Sequence, residues 1–130
     1  MTSPSPLPAW HALIEARDPS RLDALLADDA VFHSPVLHTP QMGKPLVKGY
    51  LAAAIGILGQ ASFRYTREIV GARDAVLEFE VELDGLLING VDLIRWNDDG
   101  LITDFKVMIR PLKALQLVQA KMAEALARRS

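Results

Sequence analysis

The chain has 130 residues and no cysteine. That excludes a disulfide framework and any thiolate metal centre. No apolar run approaches the ~18–20 residues needed to span a bilayer, so no membrane-spanning segment is expected. Basic residues are not in excess: 14 Lys and Arg against 16 Asp and Glu leave a formal net charge of −2, with the cations scattered. Nucleic acid is therefore not an expected partner. The first residues, MTSPSPLPAW, lack a charged segment followed by an apolar run and are not expected to form a secretory leader. The expectation is a soluble, cytoplasmic protein. Half of the residues are hydrophobic and 23% charged, an ordinary globular balance that argues against disorder. The length suits one domain over residues 1–130, with a single core.

Residues 1–8 alternate Ser and Pro and are expected to be a frayed lead-in. From Pro8 to about Arg17, Trp10, Leu13 and Ile14 share one helical face. In RDPSRLDALLADDA, Ser20 is the expected N-cap of a second short helix that carries Leu22, Leu25 and Leu26 on one side. A strand is expected over 30–34, stopped by Pro35, then a loop over 41–48 containing Gly43 and Pro45. PLVKGYLAAAIGIL reads as a third helix. After Gly59 the hydrophobic period becomes two. SFRYTREIV alternates Phe63, Tyr65, Arg67 and Ile69 against its polar neighbours. VLEFEVELD sets Leu77, Phe79, Val81 and Leu83 against Glu78, Glu80, Glu82 and Asp84, the pattern of an antiparallel sheet with one wet face. Asp84-Gly85 and Asp99-Gly100 supply turns around LLINGVDLIRW and LITDFKVMIR. Pro111 opens a last helix with Leu115, Val118, Met122 and Leu126 in a stripe and Arg128 and Arg129 at its negative end.

This order predicts an α+β fold: a cone-shaped, curved antiparallel (mixed) sheet wrapped around N-terminal helices, with a C-terminal helix. Such a cone encloses a cavity suited to a small molecule. The stretches ADDAVFHSPV (27–36) and GVDLIRWNDDGLITDFKVMIRP (90–111) carry a resemblance to the nuclear transport factor 2-like superfamily. That superfamily includes ketosteroid isomerase, scytalone dehydratase and SnoaL-like polyketide cyclases. The element order agrees over nearly the whole chain. The superfamily spans enzymes, binding modules and interaction domains, so the likeness implies a fold before a function. In the ketosteroid isomerase pattern an acid on the late strand donates a hydrogen bond to the substrate oxyanion, and Asp92 falls at that place. The place of the general base, before the proline of the early strand, holds Ser34. The helix-borne tyrosine of that pattern falls near Leu13, with Trp10 and His11 nearby and no tyrosine in that helix. Steroid isomerisation as such is thus not implied. Nor is the Asp-Arg-Asp set of limonene epoxide hydrolase, because Arg95 has the opposite strand parity to Asp92.

Asp92 is the most informative residue. Leu86, Ile88, Ile94 and Trp96 share its face by alternation. An acid in such company is costly unless neutral or hydrogen-bonded, and a carboxyl kept neutral can donate to a carbonyl. The worked case for this behaviour is ketosteroid isomerase itself. An acid that merely closes a polar corner of the cone is the structural alternative. His33 and His38 are the other catalytic candidates, since histidine titrates near neutrality. His33 shares a face with Val31, which also suits a packed histidine, and His38 lies past the turn at Pro35. No elbow motif surrounds Ser34, so a nucleophilic triad with His38 and Asp92 is not expected. The histidine spacing does not suit a metal. Candidate ligand-contacting residues are Trp10, Leu13, Phe32, Ser34, Tyr50, Phe63, Phe79, Ile94 and Phe105. Two functions fit: a cofactor-independent isomerase, dehydratase or cyclase acting by proton transfer on an apolar carbonyl compound, or a non-catalytic ligand-binding or dimerisation domain. Val91, Leu93, Arg95, Lys106, Met108 and Arg110 would form the homodimer face on the outside of the sheet.

Overall fold

A computed structural model describes residues 4–129, the last in its backbone only. Three helices and six strands follow in the order α1 (Leu7–Ala16), a short 3₁₀ helix (Pro19–Ala24), β1 (Leu26–His33), β2 (Gln41–Met42), α2 (Lys44–Leu58), β3 (Arg64–Val70), β4 (Asp74–Leu83), β5 (Leu86–Trp96), β6 (Ile102–Arg110) and α3 (Leu112–Arg129). The strands form one curved sheet in the order β2-β1-β6-β5-β4-β3. The pairing of β1 with β6 is parallel and the rest are antiparallel, which makes the sheet mixed. The expected α+β architecture, with helices held in the curve of the sheet, is what is found.

Local chemistry moves several boundaries. The helix starts at Leu7, not Pro8, because Leu7 is buried and its N–H donates to Ser5 Oγ (3.2 Å). Pro8 then sits in the first turn, where a missing N–H costs nothing. The expected lead-in is shorter than residues 1–8, and its first three residues lie outside those described. Asp18, not Ser20, caps the 3₁₀ helix: its Oδ1 accepts from the Ser20 backbone N–H (3.1 Å) and Oγ (2.6 Å). Leu26 belongs to β1 instead of a helical face, so this strand begins four residues before the expected one. The parallel ladder to β6 holds it there, with Leu26, Ala30 and Phe32 buried. Part of the expected 41–48 loop is strand β2 and the first turn of α2.

The alternation expected for β3 breaks at a bulge. Tyr65 pairs with Phe79, but Arg67 pairs with Glu78. The extra residue turns Arg67 outward, where it donates to Glu78 (3.0 Å), and leaves Ile69 61% exposed. Strand β4 needs no such correction: Leu77, Phe79, Val81 and Leu83 are buried. At the β4–β5 hairpin both Asp84 and Gly85 have positive φ (51° and 79°), the twist-matched two-residue turn. On α3 the buried residues are Ala114 and Val118, with Leu117 and Met122 against the core; Leu115 is only half-buried, so the stripe is rotated toward Ala114.

Candidate active site

Strand β5 lies in the sheet with β6 on one side and β4 on the other, and its inward residues are Ile88, Gly90, Asp92, Ile94 and Trp96. Asp92 is 6% exposed and is the one buried charged or polar residue among those described. It faces a cavity of about 230 Å³ enclosed by the sheet, α1, α2 and α3. Among the described residues the lining is apolar apart from Ser34, Tyr50, Tyr65, Asp92 and Gln119. Leu37, Gln119 and Ala123 line the cavity and are also exposed. They mark its mouth, between the segment after β1 and the second half of α3.

A directed chain of hydrogen bonds ends on the acid. Trp10 Nε1–H donates to Tyr65 Oη (2.9 Å), and Tyr65 donates its own proton to Asp92 Oδ2 (2.7 Å). Asp92 Oδ1 has no hydrogen-bond partner among the described residues. Burial pushes the Asp92 pKa from 3.8 up to about 7, against the opposing pull of the Tyr65 hydrogen bond. Burial also drives the Tyr65 pKa well above its usual value, reinforced by the neighbouring Asp92 charge. Tyr65 therefore stays a neutral donor, while Asp92 has both protonation states accessible near neutral pH. On the far side of the Tyr65 ring, His11 packs edge-on (5.7 Å) and is held by Glu68 (3.0 Å).

Aromatic clusters flank this acid on both sides. Toward β6 and β1, Phe105 contacts Trp10 (5.0 Å) and Phe32 (6.3 Å), and Phe32 contacts Tyr50 (5.6 Å). Toward β4 and β3, Phe63 stacks on Phe79 (5.3 Å, 23°), and Tyr65 meets Phe63 edge-on. Gly90 permits the second cluster: a Cβ there would lie 2.4 Å from the Phe79 ring and 2.8 Å from the Met108 carbonyl oxygen.

Of the residues singled out from the sequence, Asp92, Trp10, Phe32, Ser34, Tyr50, Phe63, Phe79 and Phe105 come together around the cavity. Leu13 and Ile94 do not line it; both are core, at 0% and 1% exposure, because α1 and β5 turn them into packed contacts away from the open space. His33 is on the outer face of the sheet, paired with Asp104 Oδ2 at 2.9 Å, since its parity is opposite to that of Phe32. His38 is exposed beyond the turn and does not line the cavity. Ser34 Oγ accepts from the backbone N–H groups of Val36 (3.0 Å) and Leu37 (3.2 Å), and so shapes the turn. The residue that the sequence reading passed over is Tyr65. It is one of only two tyrosines, but its pairing with the inward Phe79 is set by the register of the sheet and leaves no local signal. No group of three or more potential ligands among the described residues could hold a metal, and none of their helices is long and apolar enough to cross a membrane.

A curved mixed sheet closed by helices around one acid in an apolar chamber defines a cone of the cystatin-like class. The family model of the SnoaL-like domain matches residues 7–105, and the chain belongs to that family, within the nuclear transport factor 2-like superfamily. A steroid delta-isomerase from Pseudomonas aeruginosa is 40% identical, covering 95% of this chain and 90% of its own, with a TM-score of 0.89. An uncharacterised bacterial protein with a cystatin-like fold from Silicibacter pomeroyi is 33% identical over 89% of this chain and 78% of its own (TM-score 0.75). A nuclear transport factor 2-like protein from Mesorhizobium loti shares the fold at 20% identity, over 81% of this chain and 88% of its own (TM-score 0.70). No curated protein matches the chain.

Proposed function

We propose that the protein binds a neutral, largely apolar carbonyl compound in the cone and moves a proton on it without a cofactor, as an isomerase, dehydratase or cyclase. The observation that carries this reading is the Tyr65–Asp92 hydrogen bond inside an otherwise apolar cavity. A carboxyl with a pKa of about 7 serves as a base when ionised and as an acid when neutral. One such group can take a proton from a carbon next to the carbonyl and return it at another, leaving charge and atoms balanced. Tyr65 fixes the orientation of the carboxyl, and Trp10 fixes Tyr65. An isomerisation is also what the name of the 40% identical Pseudomonas aeruginosa protein describes. The test is Asp92→Asn: turnover disappears while ligand binding persists. Unchanged turnover in that variant sinks the reading.

A second reading, a non-catalytic ligand-binding or dimerisation domain, draws on the outer sheet face. There Met108 (52% exposed) stands among the half-buried Val91, Leu93 and Lys106 and the exposed Arg95 and Arg110. A second copy of this chain fits such a mixed apolar and charged face. This reading shares the cavity and the dimer with the first and differs only in having no turnover to lose. Both are compatible with a cytoplasmic protein that has no nucleic-acid partner, as the charge balance suggests.

A further inference from the structure

Resting on that reading of the cavity, we propose that its ligand is a one- or two-ring neutral ketone, not a four-ring compound. Volume sets the upper limit. An apolar protein cavity of about 150 Å³ holds one benzene ring. Scaled by volume, the cone's 230 Å³ accommodates about nine or ten heavy atoms. A four-ring steroid has about twice that number and overfills the chamber on the same scale. Its remaining rings would stand in water outside the mouth, between Leu37 and Gln119, where their burial gains nothing.

The walls set the shape. Asp92 rises from β5 between two aromatic clusters, Phe32, Tyr50, Trp10 and Phe105 on one side and Phe63, Tyr65 and Phe79 on the other. A flat ring seated on Asp92 meets aromatic surface on both flanks, in the offset and edge-on geometries such rings favour. The polar content sets the functional group. Tyr65 has already committed its proton to Asp92 Oδ2, and Trp10 its N–H to Tyr65, so Asp92 Oδ1 is the free hydrogen-bonding atom of that cluster. In the neutral carboxyl, Oδ1–H donates to one carbonyl oxygen of the ligand. Among the described residues no cation lines the cavity to receive a carboxylate or phosphate, and an ionised Asp92 would repel one.

The experiment is isothermal titration calorimetry of the whole protein at pH 6 with 1-indanone, a two-ring ketone, and with a four-ring 3-keto steroid. The expected result is binding of 1-indanone at least tenfold tighter than the steroid. Ala54→Leu, which adds bulk to the cavity wall from α2, should weaken 1-indanone at least tenfold and leave the thermal unfolding midpoint near the native value. Steroid binding as tight as that of 1-indanone overturns the size class while leaving carbonyl binding in the cone intact. Indanone affinity unchanged by Ala54→Leu places the ligand elsewhere and overturns the proposal too. Failure of both compounds to bind at millimolar concentration overturns the carbonyl-binding reading itself.

Discussion

Tyr65 Oη stands 2.7 Å from Asp92 Oδ2, across the paired strands β3, β4 and β5, and donates its only proton to it. The two residues are 27 positions apart in the chain. Their bond makes a buried carboxyl tolerable, because a hydrogen bond to the charged form offsets part of the desolvation penalty. It does not offset all of it, and the uncompensated part leaves the acid poised near neutrality.

The first prediction concerns pH. Asp92 ionises near 3.8 when unfolded and near 7 in the native state. Between those values the unfolded chain has released the proton and the folded one retains it. This residue's contribution to stability is therefore intact below about pH 4 and is lost as pH rises toward 7, by on the order of 3–4 kcal/mol. Asp92→Asn should remove that falling limb and exceed the native protein in stability at pH 8. Urea unfolding across pH 4–8 checks it, together with an NMR titration of the Asp92 carboxyl. A native carboxyl that titrates near 4 contradicts it.

Tyr65→Phe should raise the Asp92 pKa further, since it removes the hydrogen bond that favours the charged form. It also leaves Trp10 Nε1 without an acceptor. The expected cost is about 1–3 kcal/mol in stability, measured by denaturant unfolding. Turnover at pH 7 should fall as less of the carboxyl is ionised, and recover in part at higher pH. A flat pH profile in the variant would show that Tyr65 does not act through Asp92.

Gly90→Ala forces a methyl group into the Phe79 ring and toward the Met108 carbonyl. Overpacking of this kind costs about 1–3 kcal/mol. Phe79→Leu should relieve part of it, so the double variant should be more stable than the two single effects added together. Simple additivity would mean that the ring moves aside freely.

His33 and Asp104 form a partly exposed pair on the outer face, a setting in which an ion pair contributes at most about 1 kcal/mol. His33→Ala and His38→Ala should both leave turnover within twofold of native. A large loss from either would return that histidine to the reaction.

The outer face gives a last test. Leu93→Glu combined with Met108→Glu should convert a dimer to a monomer in sedimentation experiments, with the cavity ligand still bound. A native protein that sediments as a monomer at high concentration removes the dimer.

Period and turn chemistry carried most of the fold. The alternation in β4, the Asp84-Gly85 turn and Pro111 ahead of α3 are local signals, and local energetics honours them. The failures occurred where a longer-range interaction won. Leu26 reads as helical, yet β6 draws it into a strand. The bulge after Tyr65 reverses the parity of Arg67 and Ile69, which no alternation count over the segment reveals. Asp92 was legible because an acid among Ile and Trp at strand spacing is costly wherever it occurs. Tyr65 looked like one more aromatic on a sheet, since a side chain's partner across three strands has no signature in its own neighbourhood.

The sequence alone therefore determined the class of the fold, the exclusion of thiolate chemistry and the inward acid, all set by composition and period. Tertiary structure decided which groups that acid meets. It sent His33 to the outer face, kept His38 in solvent, used Ser34 to hold a turn, and brought Tyr65 onto Asp92 and Trp10 onto Tyr65. The physical reason is one of range. Strand parity assigns a side chain to a face, but hydrogen bonds form between atoms within about 3 Å, and only the curvature and register of the whole sheet bring distant residues that close.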